Sequence, residues 1–205
     1  MASVYDLKPA FQALLRPLCR SLAGWGVTAN QVTVTAALLS LAVGGCLAAW
    51  PAARWLLLLL PAVLLVRMAL NAIDGMLARE HGMKSALGGL LNELGDVVSD
   101  SALYLPLALH PGITPWLPVL ITVLALLSEM TGVVAVQIGA SRRYDGPMGK
   151  SDRALVFGAL GLALGLGAPA GRWTDVLLGL VVAALLLTLF NRSRKALREL
   201  GGPPA

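Results

Sequence analysis

Apolar residues run through the chain in long blocks, broken by polar positions at intervals near the thickness of a membrane. Blocks able to span a bilayer, about 17–25 residues at about 1.5 Å rise each, fall at Val32 to Trp50, Trp55 to Ile73, Leu87 to Leu109, Trp116 to Ala140, Ala154 to Ala168 and Val176 to Phe190. The links between them, "PAAR", "REHGMK", "HPGITP", "SRRYDGPMGKSD" and "APAGRWTD", carry the Pro and Gly of turns. The pattern predicts an all-α, polytopic membrane protein with six transmembrane helices, the fifth being the shortest. Ahead of the first block, Phe11, Leu14, Leu15, Leu18 and Leu22 recur at helical spacing beside Lys8, Arg16 and Arg20. That spacing predicts an N-terminal amphipathic helix lying in the interface. The reading is one domain: a juxtamembrane helix over 1–25, a membrane core over 26–191 and a basic tail over 192–205.

Composition agrees, since 57% of the 205 residues are hydrophobic and only 13% are charged, too apolar for a soluble domain of this length. Basic residues set the orientation. One set of loops and ends holds thirteen of them, among them Arg79, Lys84, Arg142, Arg143, Lys150 and Arg153, whereas the opposite set holds only Arg54 and Arg172. Both termini are therefore expected in the cytoplasm. The net charge of +5 reads as this topology signal plus attraction to anionic headgroups, and scattered over short loops it excludes nucleic acid as a partner. No removable leader is expected at the N-terminus. Cys19 and Cys46, on opposite sides of the first span, are expected as free thiols. Trp25, Trp50, Trp55, Trp116 and Trp173 stand near span ends, where aromatic belts lie.

Polar chemistry concentrates in "NAIDGMLAREHGMKSALGGLLNELGDVVSD", from Asn71 to Asp100. Asn71 and Asp74 share one helical face, and Asn92, Asp96 and Asp100, four apart, share another. Counted from the connecting loop, Asp74 lies ~7 Å and Asp96 ~13 Å into the apolar layer, both in the half nearer the basic loops. A carboxylate at that depth costs several kcal/mol unless paired, solvated or bound to a cation, and clustered carboxylates repel one another. A divalent ion resolves both costs, and Mg2+ in particular is held by one or two carboxylates plus substrate phosphates.

At these residues the chain resembles the CDP-alcohol phosphotransferase family. That family's pattern is D-x2-D-G-x2-A-R-x8-G-x3-D-x3-D. Asp74, Gly75, Ala78, Arg79, Gly88 and Asp96 match it with every interval preserved, and Asn71 and Asn92 stand where the pattern has aspartate. "TANQVT" before the first span is also similar to the family. The resemblance implies transfer of a phosphatidyl group from CDP-diacylglycerol to a small alcohol, with release of CMP, and Asp96 as general base. It implies Mg2+ or Mn2+ held by Asn71, Asp74, Asn92, Asp96 and Asp100, with ion number weakened by the two asparagines. CDP is expected against Asn30, Thr33, Asp74, Gly75, Ala78 and Arg79. Phosphate on the acceptor or product is expected against Arg67, Lys150 and Arg153, and the family implies a homodimer in a bacterial-type inner membrane. Glu93 and Glu129 are further acids to place, while His81 and His110 read as loop and turn residues. Competing readings are a binding-only member of the same fold and a small transporter whose acids form an ion path. The second is disfavoured because the acids occupy one half of the bilayer and no broken helix pair marks a midplane site.

Overall fold

The computed structural model describes residues 8–201, and within them the chain is helical with no strand. Seven α-helices follow in order: α1 (Lys8–Gly24), α2 (Ala29–Ala49), α3 (Arg54–Glu80), α4 (Ala86–Tyr104), α5 (Trp116–Gln137), α6 (Lys150–Gly165) and α7 (Arg172–Leu200). A short 3-10 helix, Leu105–Leu109, extends α4. It covers the last part of the third expected block, where Pro106 stops the α-helical pattern.

By length and composition α2, α3, α5 and α7 are each able to cross a membrane. The chain is a membrane protein built on these four. Three acidic residues, Glu93, Asp96 and Asp100, interrupt the apolar character of α4, and α6 has only 16 residues, ~24 Å of helix against a ~30 Å hydrocarbon layer. α3 outruns its expected block and carries Asp74, Ala78 and Arg79 on as one continuous helix to Glu80.

Local sequence explains the helix starts. Thr28 opens α2 with a capping box in which its hydroxyl accepts from Gln31 N–H while the Gln31 side chain accepts from Thr28 N–H. Ser85 caps α4 through Gly88 N–H at 2.9 Å. Asp152 reaches back to Gly149 N–H at 3.0 Å and starts α6.

Small residues let the helices approach closely, as in membrane bundles generally. A Cβ on Gly44 would sit 2.1 Å from the Ala102 carbonyl oxygen, so α2 and α4 meet backbone to backbone. Gly158, Gly161 and Gly165 do the same for α6 against α3, where a Cβ on Gly161 would lie 3.0 Å from the Leu57 carbonyl. The main apolar core gathers Leu57, Leu60, Leu103, Ile121, Phe157 and Leu185 from five helices, with Tyr104 stacked on Phe157 at 4.1 Å between ring centroids. A second cluster, Cys19, Ala29, Val32, Ile73, Met76 and Leu77, joins α1, α2 and α3 at the end that carries the motif.

In α1 the expected apolar face divides. Leu15 and Leu22 pack on that second cluster, and Leu14 and Leu18 stay exposed. The tail expected over 192–205 is largely the continuation of α7, whose buried residues Leu178, Val181, Leu185, Thr188, Arg192 and Ala196 keep one face past the last apolar block. Both cysteines are free, and all five tryptophans are exposed next to helix ends.

Leucine at Gly161 must force α6 off the Leu57 carbonyl and the Leu60 side chain. Gly161→Leu is expected to lose about 1–3 kcal/mol, read as a lowered midpoint in thermal unfolding of the detergent-solubilised protein. Leucine at the unobstructed Gly179 serves as the control that leaves the midpoint in place.

Candidate active site

At the motif end a cavity of about 1080 Å³ opens between α2, α3, α4 and α6. Asn71, Asp74, Asn92 and Asp96 all line it. The two motif faces on α3 and α4 thus converge on one space. Thr33 on α2 donates to Asp74 Oδ2 at 2.8 Å and holds that carboxylate from behind. Asn71 donates its amide to Asp96 Oδ1 at 3.0 Å, and Lys150 at the head of α6 forms an ion pair with the same oxygen. A carboxylate can only accept, so Asn71 presents its nitrogen to Asp96, which leaves its own carbonyl oxygen for other partners.

The remaining motif residues serve close approach. A Cβ on Gly75 would lie 3.1 Å from the Arg79 guanidinium, which therefore folds back over α3 at the cavity. A Cβ on Gly88 would lie 2.7 Å from Asn30 Oδ1, so Gly88 lets α2 present Asn30 at the cavity wall. Asn30, Thr33, Asp74, Gly75, Ala78 and Arg79 form one continuous side of the space. The rest of the polar lining comes from Glu93, Glu129, Arg142, Lys150, Asp152 and Arg192. Between α3 and α6 the cavity runs on as an apolar slot past Pro61, Leu64, Met68, Gly158 and Leu162, with the exposed Leu65 and Leu155 at its rim.

Three expected site residues lie elsewhere. Arg67 and Arg153 are 0% exposed and Asp100 is 5% exposed, and none of them lines the cavity. Asp100, expected as a metal ligand, instead bridges Arg67 at 2.5 Å and Arg153 at 2.7 Å. Its carboxylate is taken by two guanidiniums, which satisfy a charge that the membrane interior would otherwise make very costly. Arg67 and Arg153, expected to grip phosphate, are committed to this bridge. Arg67 also donates to the Asp96 carbonyl oxygen at 3.1 Å, fixing α4 against α3 just behind the site. Arg153 continues to Glu129 at 3.2 Å.

Arg142 and Arg192 were not foreseen. Arg142 pairs with Glu93 at 2.8 Å and lies 3.7 Å from Glu129. Arg192 is also 3.7 Å from Glu129 and donates to the Ser128 carbonyl. The signal for Arg192 was present in the spacing Leu185, Thr188, Arg192, Ala196, a face that stays buried across the supposed start of the tail. His81 ends α3 as its C-cap, and His110 caps the 3-10 helix.

The link from α5 to α6 is tied to the end of α7. Thr188 accepts from Met148 N–H at 3.0 Å, and Gly146, with φ +126, passes so close that a Cβ would meet the Thr188 side chain at 2.6 Å. Asp145 accepts from Lys195 at 2.6 Å and Arg143 at 2.9 Å, while Glu199 accepts from the Ser141 N–H and hydroxyl and from Arg143. Partial burial opposes ionisation of Asp145, but these hydrogen bonds more than offset it and hold its carboxyl below the ordinary range. The Ser141 contacts lower that of Glu199 in the same direction.

The family model for CDP-alcohol phosphatidyltransferase matches residues 26–191. The chain belongs to the CDP-alcohol phosphatidyltransferase family. It is 47% identical over 195 residues to the inner membrane protein YnbA of Escherichia coli K12, covering 95% of this chain and 96% of that one. It is 28% identical over 145 residues to archaetidylinositol phosphate synthase of Pyrococcus horikoshii, covering 67% and 74%. The same fold occurs in phosphatidylinositol phosphate synthase of Mycobacterium tuberculosis with CDP-DAG bound, at TM-score 0.74 and 21% identity over 92% of this chain and 97% of that one. A second structure of that enzyme, in complex with manganese and citrate, also superposes at TM-score 0.74 and 21% identity, covering 92% of each chain.

Both depressed carboxyls contribute stability above their unfolded pKa and lose it as pH falls through the lower folded value. Acidification through and below the ordinary carboxylate range is expected to release the 141–149 link from α7, seen as faster amide hydrogen exchange there. In Asp145→Asn that acceleration should already be present at neutral pH and change less with acid.

Proposed function

We propose that this protein transfers a phosphatidyl group from CDP-diacylglycerol to a small alcohol and releases CMP. The observation that carries the reading is a single cavity with Asp74 and Asp96 at its polar end and an apolar slot between α3 and α6 leading sideways from them. A nucleotide-linked lipid has that division: a charged diphosphate joined to acyl chains that must stay in hydrocarbon. On this reading α4 and α6 complete six spans, with α1 in the interface, both termini in the cytoplasm, and the site opening toward the cytoplasmic side of a bacterial-type inner membrane, in a homodimer.

The donor set bears on the expected metal. Two carboxylates and two carboxamides supply hard oxygen ligands suited to one Mg2+ or Mn2+. Two ions would bring four positive charges to two carboxylates, and among the described residues no cluster of three or more acidic, His or Cys side chains offers a richer site. Asp74, Asp96 and the carbonyl oxygens of Asn71 and Asn92 would hold one ion, which supplies charge neutralisation on the diphosphate.

The chain's own residues account for the rest of the step. CDP lies along the side formed by Asn30, Thr33, Gly75 and Ala78, and Arg79 meets its charge. The Asp96 carboxylate, oriented through Oδ1 by Asn71 and Lys150, takes the proton from the acceptor hydroxyl. The freed oxygen attacks the phosphorus that carries diacylglycerol, the new P–O bond forms, the bond to the CMP phosphate breaks, and CMP leaves with the electron pair. Arg67, locked to the Asp96 backbone, keeps α4 in register for that transfer.

Asp96→Asn preserves shape and removes the base. It is expected to cut CMP release from CDP-diacylglycerol at least about a hundredfold, measured with Mg2+ or Mn2+ and a mixed panel of alcohols, while binding of CDP-diacylglycerol persists. Undiminished release would refute the base assignment. Absence of release by the unmodified protein across the panel would favour a member that binds CDP-lipid without turning it over.

A further inference from the structure

The part of the cavity wall that carries Glu93, Glu129, Arg142 and Arg192 bears on which alcohol the site admits, an inference that rests on the transferase reading. Cations are abundant there, yet each stands against an acid. Arg142 is matched by Glu93 at 2.8 Å, and Arg192 faces Glu129 at 3.7 Å. Lys150 stands against Asp96, and Asp152, two residues further along the first turn of α6, adds another acid. Leaving Asp96 aside as the base, Arg142, Lys150 and Arg192 meet Glu93, Glu129 and Asp152 on the cavity wall, three charges of each sign. Behind the wall the pattern repeats, since Arg153 is 0% exposed and tied to both Asp100 and Glu129.

A phosphate monoester brings nearly two negative charges into a partly buried site, and it binds where cations face it without competing carboxylates. Here it would have to compete with Glu93 and Glu129 for Arg142 and with Glu129 for Arg192. Among the described residues, the lining cations without an acid partner are Arg79, near the end of α3, and Lys84, in the loop between α3 and α4. We infer that the acceptor is a small alcohol carrying no phosphate, recognised by a charge-balanced wall that rejects phosphorylated alcohols. Glu93 is the element of that wall best placed to be altered, because its side chain is 41% exposed and its removal leaves Arg142 with only the longer 3.7 Å approach to Glu129. The solved relative named above, seen in two structures, is called phosphatidylinositol phosphate synthase, so the balance of this wall would separate this chain from a protein of the same fold named for a phosphorylated product.

The test is ligand-observed saturation-transfer NMR on the full chain in nanodiscs loaded with CDP-diacylglycerol and Mg2+, using matched pairs: glycerol and glycerol 3-phosphate, inositol and inositol 1-phosphate, ethanolamine and phosphoethanolamine. At least one unphosphorylated alcohol is expected to bind about tenfold or more tightly than its phosphate ester. Glu93→Gln is expected to narrow that gap by strengthening the ester alone. Equal or tighter binding of the esters, binding of neither member of any pair, or a gap unchanged in Glu93→Gln overturns the inference. CMP release, followed in parallel, reports separately on the transferase reading, since the binding comparison stands without turnover.

Discussion

The structure depends on one buried carboxylate. Asp100 sits between Arg67 of α3 and Arg153 of α6, at 2.5 and 2.7 Å, with all three side chains almost wholly shielded. An unpaired charge at this depth is prohibitive, and a pair that loses one member is destabilised by about 3–5 kcal/mol. The three helices must therefore assemble together. α3 and α4 bear the two halves of the motif and α6 bears Lys150, so the bridge that closes the bundle also brings Asp74, Asp96 and Lys150 to one cavity.

The same constraint explains why so few charges near the site are free. Arg67 ties Asp100 to the Asp96 backbone, Arg153 ties Asp100 to Glu129, and Glu129 passes the balance to Arg142 and Arg192. Such a network fixes relative helix positions more than it adds stability, because the desolvation of each ion offsets much of its Coulomb gain. Its value here is placement. An Asp96 that could slide by a fraction of an ångström along α4 would lose its register with Asn71 and Asp74.

Where the sequence could be read, it was read through spacing. Asn71, Asp74, Asn92 and Asp96 were placed on facing helices by their three- and four-residue intervals, and the helices around them were evident from the apolar blocks. Sequence shows depth and face but not partner. Arg67, Asp100 and Arg153 lie on the expected faces, yet one turn of difference takes them from the cavity to the helix interface behind it. Arg192 reads as part of a tail because it follows the apolar block, although the buried spacing from Leu178 through Ala196 runs straight past that point. The short α6 and the acid-bearing α4 resist assignment as spans for a related reason: a helix that lines a polar cavity need not be apolar all round.

Replacing two aspartates by Asn71 and Asn92 changes the electrostatics of the centre more than its shape. Each keeps an oxygen for a cation but gives up one negative charge, and Asn71 gains a donor that it spends on Asp96. A centre with four carboxylates can hold two divalent ions near neutrality, whereas this one reaches neutrality with a single ion or with Lys150 and one further cation. Lys150 already stands against Asp96, so a share of the charge that a second ion would carry is built into α6 itself. The asparagines and the lysine therefore act together. Restoring either aspartate without altering Lys150 would take the centre from −1 to −2, the charge that one divalent ion balances, and the head of α6 is the element whose position should respond.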